Sequence, residues 1–347
     1  MIDVHRLATG ALRGLDPEDA HNLAIRALKL GLGPVARADD PILACELAGL
    51  KLPNPIGLAP GFDKNAEVFG PMLRAGFGFA ECGTVTPLPQ VGNPRPRLFR
   101  LAEDRAVINR MGFNNAGLEA FAARLAKRGS GVVGANLGAN KDSEDRLADY
   151  TSGLRRLWGM ASYFTINISS PNTPGLRALQ TREALDELLG RLMNTAQSLP
   201  SGVAAPMFLK VAPDLEDAEI EAIAEVVAGH GLAGVIVANT TLARPGLKSD
   251  HRDETGGLSG APLMAPSTQV LRRFHTLTNR RFLLIGAGGI GSGADAYAKI
   301  RAGAQAVQLY SALAYEGPGL VVRIKRDLAA LLRADGFRSV QEAVGAE

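Results

Sequence analysis

The chain has 347 residues, with 38 Lys and Arg against 35 Asp and Glu, a formal net charge of +3 and a pI near 8.9. Hydrophobic residues make up 46% and charged residues 21%, values of a packed globular chain that exclude wholesale disorder. Glycine is in excess, 40 residues against a usual share of about 7%, but it lacks the three-residue period of collagen.

No block of consecutive Lys or Arg marks a nucleic-acid footprint. The two cysteines, Cys45 and Cys82, offer neither a metal spacing nor a disulfide framework, which suits a reducing compartment. No apolar run is long enough to span a bilayer, and the N-terminus lacks the apolar core of a signal peptide.

In chain order, two short helices come first. Val4, Leu7, Ala8, Ala11 and Leu12 follow i, i+3, i+4, i+7, i+8 spacing, and Ala20, Leu23, Ala24, Ala27 and Leu28 repeat it. Asp16 fits an N-cap with Pro17 at the first helical position, and residues 31–34 end the second helix. From residue 55 the pattern changes. Short apolar runs at 56–59, 79–82, 132–137, 163–168, 207–211, 235–238, 282–285 and 306–309 alternate with helical stretches. Leu185, Leu188, Leu189 and Leu192 form one helical stripe; Ile220, Ile223, Ala224 and Val227 form another. Near-continuous apolar strands between amphipathic helices predict a parallel sheet. Eight such units predict an α/β fold, a (β/α)8 TIM barrel over 41–347 with a small N-terminal helical extension over 1–40. A doubly wound open sheet is the structural alternative, usually with fewer strands.

Strand after strand ends in chemically capable residues: Asp63-Lys64, Thr84, Asn136, Asn167, Lys210, Asn239-Thr240, the glycines of 286–291, and Tyr310-Ser311. A barrel gathers all these ends around one mouth. The connections 85–114 and 240–264 exceed ordinary loop length, so they are expected to cover a substrate or contact a partner.

Gly286-Ala287-Gly288-Gly289-Ile290-Gly291 fits G-x-G-x-x-G, but the next strand ends in Tyr310-Ser311 where a dinucleotide fold needs an acidic residue. It reads instead as the phosphate site that barrels build after strands 7 and 8, with 256–260 as a second glycine-rich turn; the plain alternative is a tight turn without ligand. Lys64 and Lys210 end apolar strands. Each is open to three readings: a salt bridge (Lys64 with Asp63), a Schiff-base amine, or a fixed positive charge. The segment 167–175 is a plain Asn/Ser/Pro loop by composition, yet Asn136, Asn167, Asn172 and Asn239 would converge on one mouth and suit a planar, amide-like ligand. No histidine sits at a strand end, so a general base must be Ser, Lys or a carboxylate. Residues 109–115 read as a turn before a helix beginning near Gly117.

These motifs together resemble the class 2 dihydroorotate dehydrogenases, quinone-linked FMN enzymes of pyrimidine synthesis. The likeness runs from about residue 15 to about 325 and rests on 57–64, 83–87, 109–114, 167–175, 239–241, 255–260 and 286–290. The resemblance implies that Gly260, Gly289, Tyr310 and Ser311 hold the FMN phosphate. It implies flavin contacts from Pro60, Gly61, Phe62, Asp63, Lys64, Thr84, Asn136, Asn167, Lys210 and Ala238. Lys64 would meet the dihydroorotate carboxylate, and Asn109, Asn167, Asn172, Asn239 and Thr240 would bind the pyrimidine ring beside the Arg110-Met111-Gly112 turn. Ser170 matches the catalytic base, with Phe113 and Thr173 on its proton relay. His21, Arg100 and Tyr310 match a quinone site for ubiquinone or menaquinone. No metal is implied.

The resemblance also gives the helix pair a meaning. It would form a quinone tunnel and touch the membrane, with His5, Arg6 and Arg13 at a lipid surface, whereas its plain reading is a cap on the barrel's apolar end. The implied location is the cytoplasmic face of a bacterial inner membrane, as a peripheral protein. Three positions depart from the common pattern: Pro60 for Ala, Ala139 for Lys and Ala238 for Thr. A Schiff-base aldolase using Lys64 or Lys210, and a phosphate-binding barrel without turnover, are the alternatives from other classes.

Overall fold

The computed structural model describes residues 4–200, 202, 205–278 and 280–347, with side chains from Ala8 onward, so the expectations on Val4, His5, Arg6 and Leu7 lie outside the described side chains. Eight parallel strands close into a barrel: β1 (Ile56–Leu58), β2 (Phe79–Val85), β3 (Val132–Leu137), β4 (Tyr163–Asn167), β5 (Met207–Val211), β6 (Gly234–Val237), β7 (Leu283–Ala287) and β8 (Ala306–Leu309). Each pairs with its sequence neighbour, and β8 closes on β1. Helices cover the outside, including Arg182–Gln197 and Asp217–Gly229, whose buried faces are the leucine and isoleucine stripes of the sequence.

The barrel interior explains part of the glycine excess. Phe79 lies in register with Gly57, Tyr163 with Gly134, and Phe208 with Gly234. A Cβ at Gly57 would stand 2.2 Å from the Phe79 ring, and one at Gly134 would stand 2.2 Å from the Tyr163 ring. Each aromatic therefore fills the volume its neighbouring strand leaves empty, as a packed interior requires. Tyr163 sits edge-on to both Phe79 and Phe208, at centroid distances of 6.3 and 5.7 Å. Gly57 thus serves core packing, as does Gly286 against Leu271, Lys299 and Ala304.

The two long connections fold onto one another. Leu98–Leu101, Ala106–Asn109 and Gly257–Gly260 form a three-stranded antiparallel sheet that roofs the barrel mouth. It has its own apolar cluster of Phe99, Leu101, Ala106, Ile108 and Leu258. The Tyr315 hydroxyl, past β8, ties it down by donating to the Ala106 carbonyl at 2.6 Å.

Helix α1 (Val4–Leu12) and helix α2 (Pro17–Lys29) precede the barrel. Asp16 caps α2 by accepting from the Glu18 and Asp19 amides at 2.9 and 3.1 Å. The pair stands at the mouth, beside Tyr310 at the end of β8. One buried ion pair holds it there: Arg97 grips Glu18 at 2.9 and 2.7 Å, and also donates to the Val91 and Asn93 carbonyls. Burial acts to raise the Glu18 pKa, but Arg97 and then Arg95 outweigh it and hold the carboxyl below its ordinary 4.5. The stabilisation is therefore full above about pH 4.5 and is lost as pH falls through the depressed value. Glu18→Ala leaves Arg97 buried and unpaired, a change that costs about 3–5 kcal/mol. The expected outcome is undocking of residues 8–35, read as rapid proteolysis there with the barrel intact; unchanged protection would refute the anchor.

Candidate active site

One continuous cavity of about 400 Å³ runs from the helix pair, beneath the roof, to the barrel axis. Its floor is set by a buried carboxylate that the sequence reading passed over. Glu81 shares the inward face of β2 with Phe79, two residues below it, and is fully buried. Its oxygens accept from Asn136 Nδ2 at 2.7 Å, Gln308 Nε2 at 2.6 Å and the Tyr163 hydroxyl at 3.0 Å. One anion thus binds strands β2, β3, β4 and β8 together. The Gln308 amide nitrogen is spent on it, and Gln308 Oε1 is left buried and without a partner beside the cavity.

Above this layer lies a chain of amides. Asn136 Oδ1 accepts from Thr84 Oγ1 at 2.5 Å and from Asn167 Nδ2 at 3.2 Å. Asn239 donates to Ser169 Oγ at 2.9 Å, and Ser169 Oγ donates to Asn167 Oδ1 at 3.0 Å. Asn172 Nδ2 donates to Asn109 Oδ1 at 3.3 Å. The buried Thr240 Oγ1, also on the wall, has no partner among the described residues. Arg177 braces the loop after β4 by donating to the Ser169 and Thr240 carbonyls, both at 3.1 Å, and to Asp214 at 3.0 Å.

Two lysines face this chamber. Lys210 stands two residues above Phe208 on β5; burial lowers its pKa, and the Glu81 charge opposes that shift. Lys64 is pushed down to about 8, chiefly by burial, with Arg97 adding and Glu18 and Asp63 opposing. The salt bridge of Lys64 with Asp63 does not form. The Asp63 oxygens instead accept from the Glu67 and Val68 amides, both at 2.7 Å, and so clamp the loop after β1. Ser170 is buried on the cavity wall, and its Oγ accepts from the Asn172 amide at 3.3 Å, which leaves its own proton free to be passed on.

The far end of the cavity differs in character. Ala20, Ala24, Ala27 and Leu28 of α2 line it, with Phe62 and Tyr310. The Tyr310 hydroxyl meets His21 Nδ1 at 3.3 Å, and Phe62 sits edge-on to both rings. Burial and then the Lys64 charge push the His21 pKa down to about 3, so the ring is neutral. Arg100 also lines this end, its guanidinium held by the Arg13 and Leu15 carbonyls.

The structure brings most of the expected residues to this one cavity: Pro60, Gly61, Phe62, Lys64, Thr84, Asn109, Met111, Gly112, Phe113, Asn167, Ser170, Asn172, Lys210, Ala238, Asn239, Thr240, Gly260, Gly289, Tyr310, Ser311, His21 and Arg100. Asp63, Asn136, Arg110 and Thr173 are not on its wall. Asp63 is the loop clamp, and Asn136 carries Thr84 and Asn167 on Glu81. Arg110 turns away to Glu254 at 2.7 Å and stacks 4.6 Å over the Phe99 ring, fastening the roof. Glu81 and Gln308 were detectable in principle, as polar residues inside otherwise apolar strands. Among the described residues no group of His, Cys, Asp or Glu could hold a metal ion.

A sequence model of the family described as dihydroorotate dehydrogenase matches residues 42–332. The chain is 60% identical to the dihydroorotate dehydrogenase (quinone) of Rhodospirillum rubrum, over 100% of this chain and 95% of that one. It is 57% identical to the protein of the same name from Parvibaculum lavamentivorans, over 100% and 99%. Among solved structures it is similar to the DHODH of Eimeria tenella in complex with ferulenol, at 42% identity and a TM-score of 0.92, covering 95% of each chain.

Glu81→Ala should strand three buried donors and lower the unfolding free energy by about 3 kcal/mol or more. Urea denaturation measures this, and a loss under about 1 kcal/mol would contradict the role given to Glu81.

Proposed function

The chain belongs to the dihydroorotate dehydrogenase family, and from that premise we propose how its residues divide the work of the quinone-dependent enzyme. The protein oxidises dihydroorotate in pyrimidine biosynthesis, with a flavin as the family's redox group and quinone as the final electron acceptor. The observation that carries the detailed reading is the single cavity, polar at Lys64, Ser170 and Lys210 and apolar along α2.

The flavin is FMN. The wall fits a phosphate-bearing planar heterocycle. Gly289, with φ of 80°, lies on the cavity wall, and a Cβ there would be 2.4 Å from the Met264 backbone, so only glycine lets this turn pack directly on the start of the next helix. Ser311 Oγ donates to Ser259 Oγ at 2.8 Å beside Gly260, which sets a hydroxyl pair at the same end. The orphaned Gln308 Oε1 offers an acceptor at the floor. Gly260, Gly289, Tyr310 and Ser311 would hold the phosphate, and Pro60, Gly61, Thr84, Asn167, Lys210 and Ala238 would line the ring. FMN supplies a hydride acceptor and, once reduced, an electron donor to quinone.

The chain's own residues bind, orient and deprotonate. Lys64 pairs with the dihydroorotate carboxylate as a cation. Asn109, Asn167, Asn172, Asn239 and Thr240 satisfy the amide-like ring, in which every donor needs an acceptor once water is excluded. Ser170 Oγ would take the C5 proton as its own passes to a water and on to solvent past Phe113, while Lys210 would hold a fixed positive charge where negative charge develops. Quinone reaches the flavin along α2, past His21, Arg100 and Tyr310. A neutral His21 suits that apolar passage.

The helix pair is a distinct segment, 1–40, that rests on a membrane. Leu15, Leu23, Leu30, Leu32 and Val35 are exposed on it, Leu30 and Val35 at 77%. No helix among the described residues is long and apolar enough to cross a membrane; the proposed contact is peripheral. The proposed location is the cytoplasmic face of a bacterial inner membrane.

The purified protein should be yellow and bleach on anaerobic addition of dihydroorotate. Ser170→Ala should keep its flavin and slow that bleaching about 100- to 10,000-fold; undiminished bleaching would sink the base assignment. The wild-type kcat/KM for dihydroorotate should fall as pH rises through about 8, where Lys64 loses its charge, and Lys64→Met should abolish that limb. Leu30→Glu with Leu32→Glu should reduce binding to anionic vesicles while leaving flavin reduction unchanged; vesicle binding equal to wild type would argue against the membrane face.

A further inference from the structure

Helix Gly293–Arg301 packs behind the glycine turn that follows β7. Its Lys299 is fully buried, in a residue type that is almost never so unless paired. The ammonium donates to Ser267 Oγ at 2.8 Å and Thr268 Oγ1 at 3.0 Å. Both hydroxyl protons are already committed, Ser267 to the Leu263 carbonyl at 2.6 Å and Thr268 to the Met264 carbonyl at 2.7 Å. Lys299 thus has neutral acceptors, and no carboxylate lies within 4.0 Å of it among the described residues. A buried cation without a contacting opposite charge is costly, so burial favours its neutral form and an anion held nearby would restore the charged one. Burial pushes the ammonium pKa down to about 7, with Asp295, one turn earlier on the same helix, opposing and Arg272 adding.

The surroundings say where that anion sits. A Cβ at Gly286 would stand 3.1 Å from Lys299 Cδ, so the lysine stem lies directly against the end of β7. Ser267 Oγ, which anchors the ammonium, is 3.3 Å from the Gly288 carbonyl. Gly288 and Gly289 face the cavity, and Gly289 abuts the first residue of helix Met264–Thr278, which carries Ser267 and Thr268. The cation therefore stands one layer behind the wall given above to the FMN phosphate.

We propose that Lys299 is a positioning residue for the flavin phosphate: its buried charge, relayed through Ser267 and Thr268, holds the 286–289 turn against the phosphate and balances the dianion. It never touches the cofactor. The inference rests on the FMN reading above and adds to it a source of selectivity for the phosphorylated flavin.

The test is the ratio of riboflavin to FMN dissociation constants, measured on the full chain by flavin fluorescence after exchange from the purified holoprotein. Wild type should prefer FMN by about 100-fold or more, since a phosphate engages backbone amides and charge that riboflavin does not. Lys299→Met should narrow that preference about tenfold, with riboflavin binding unchanged, because only the phosphate feels the lost charge. Lys299→Gln keeps donors for both hydroxyls without the charge and should do the same, so the test survives if the methionine variant does not fold. Equal weakening of both flavins, or an unchanged ratio, overturns the role of Lys299 and leaves the FMN reading standing. A wild-type ratio near one overturns the phosphate site itself, and the proposal with it.

Discussion

The structure turns on a carboxylate where a barrel interior usually carries branched apolar side chains. Glu81 is fully buried, and its cost is offset only because three donors from three other strands converge on it. A chain of polar side chains above it is stacked on that anion. Asn136 is oriented by Glu81, Thr84 and Asn167 are oriented by Asn136, and the Ser169 loop is oriented by Asn167. The same charge faces Lys210 and opposes the loss of its proton. Such a network gives little net stability, but it leaves each amide one way to point.

The helix pair extends the same logic outward. A cavity that is polar at one end and apolar at the other suits two substrates of opposite solubility, and the apolar end exists only while α2 stays docked. The Glu18–Arg97 pair therefore bears on the second half-reaction although it lies off the proposed chemistry.

The eight barrel strands and the two N-terminal helices were legible because their signals are local: apolar runs, the 3.6-residue stripe, and Asp16-Pro17 at the start of the second helix. Strand ends were legible for the same reason, since a polar residue closing an apolar run marks the mouth. What escaped needs neighbours. Gly57 looks like one more glycine of its motif until Phe79 is known to lie beside it, and Asp63 looks like a ligand until its loop is seen to double back over both oxygens. Arg110 and Asn136 sit in the right motifs, but their side chains are claimed by Glu254 and Glu81, partners that no spacing rule connects to them. The roof is the clearest case, because 106–109 and 257–260 pair across about 150 residues with nothing in either segment to announce the other.

That roof has a core of its own. Phe99, Leu101, Ala106, Ile108 and Leu258 form a cluster separate from the one that fills and surrounds the barrel. The roof is thus held by five apolar side chains, the largest of them Phe99, and by a few ties such as Tyr315, and not by the barrel's interior. The roof and the barrel are therefore held by separate sets of contacts, so a change that loosens one need not weaken the other.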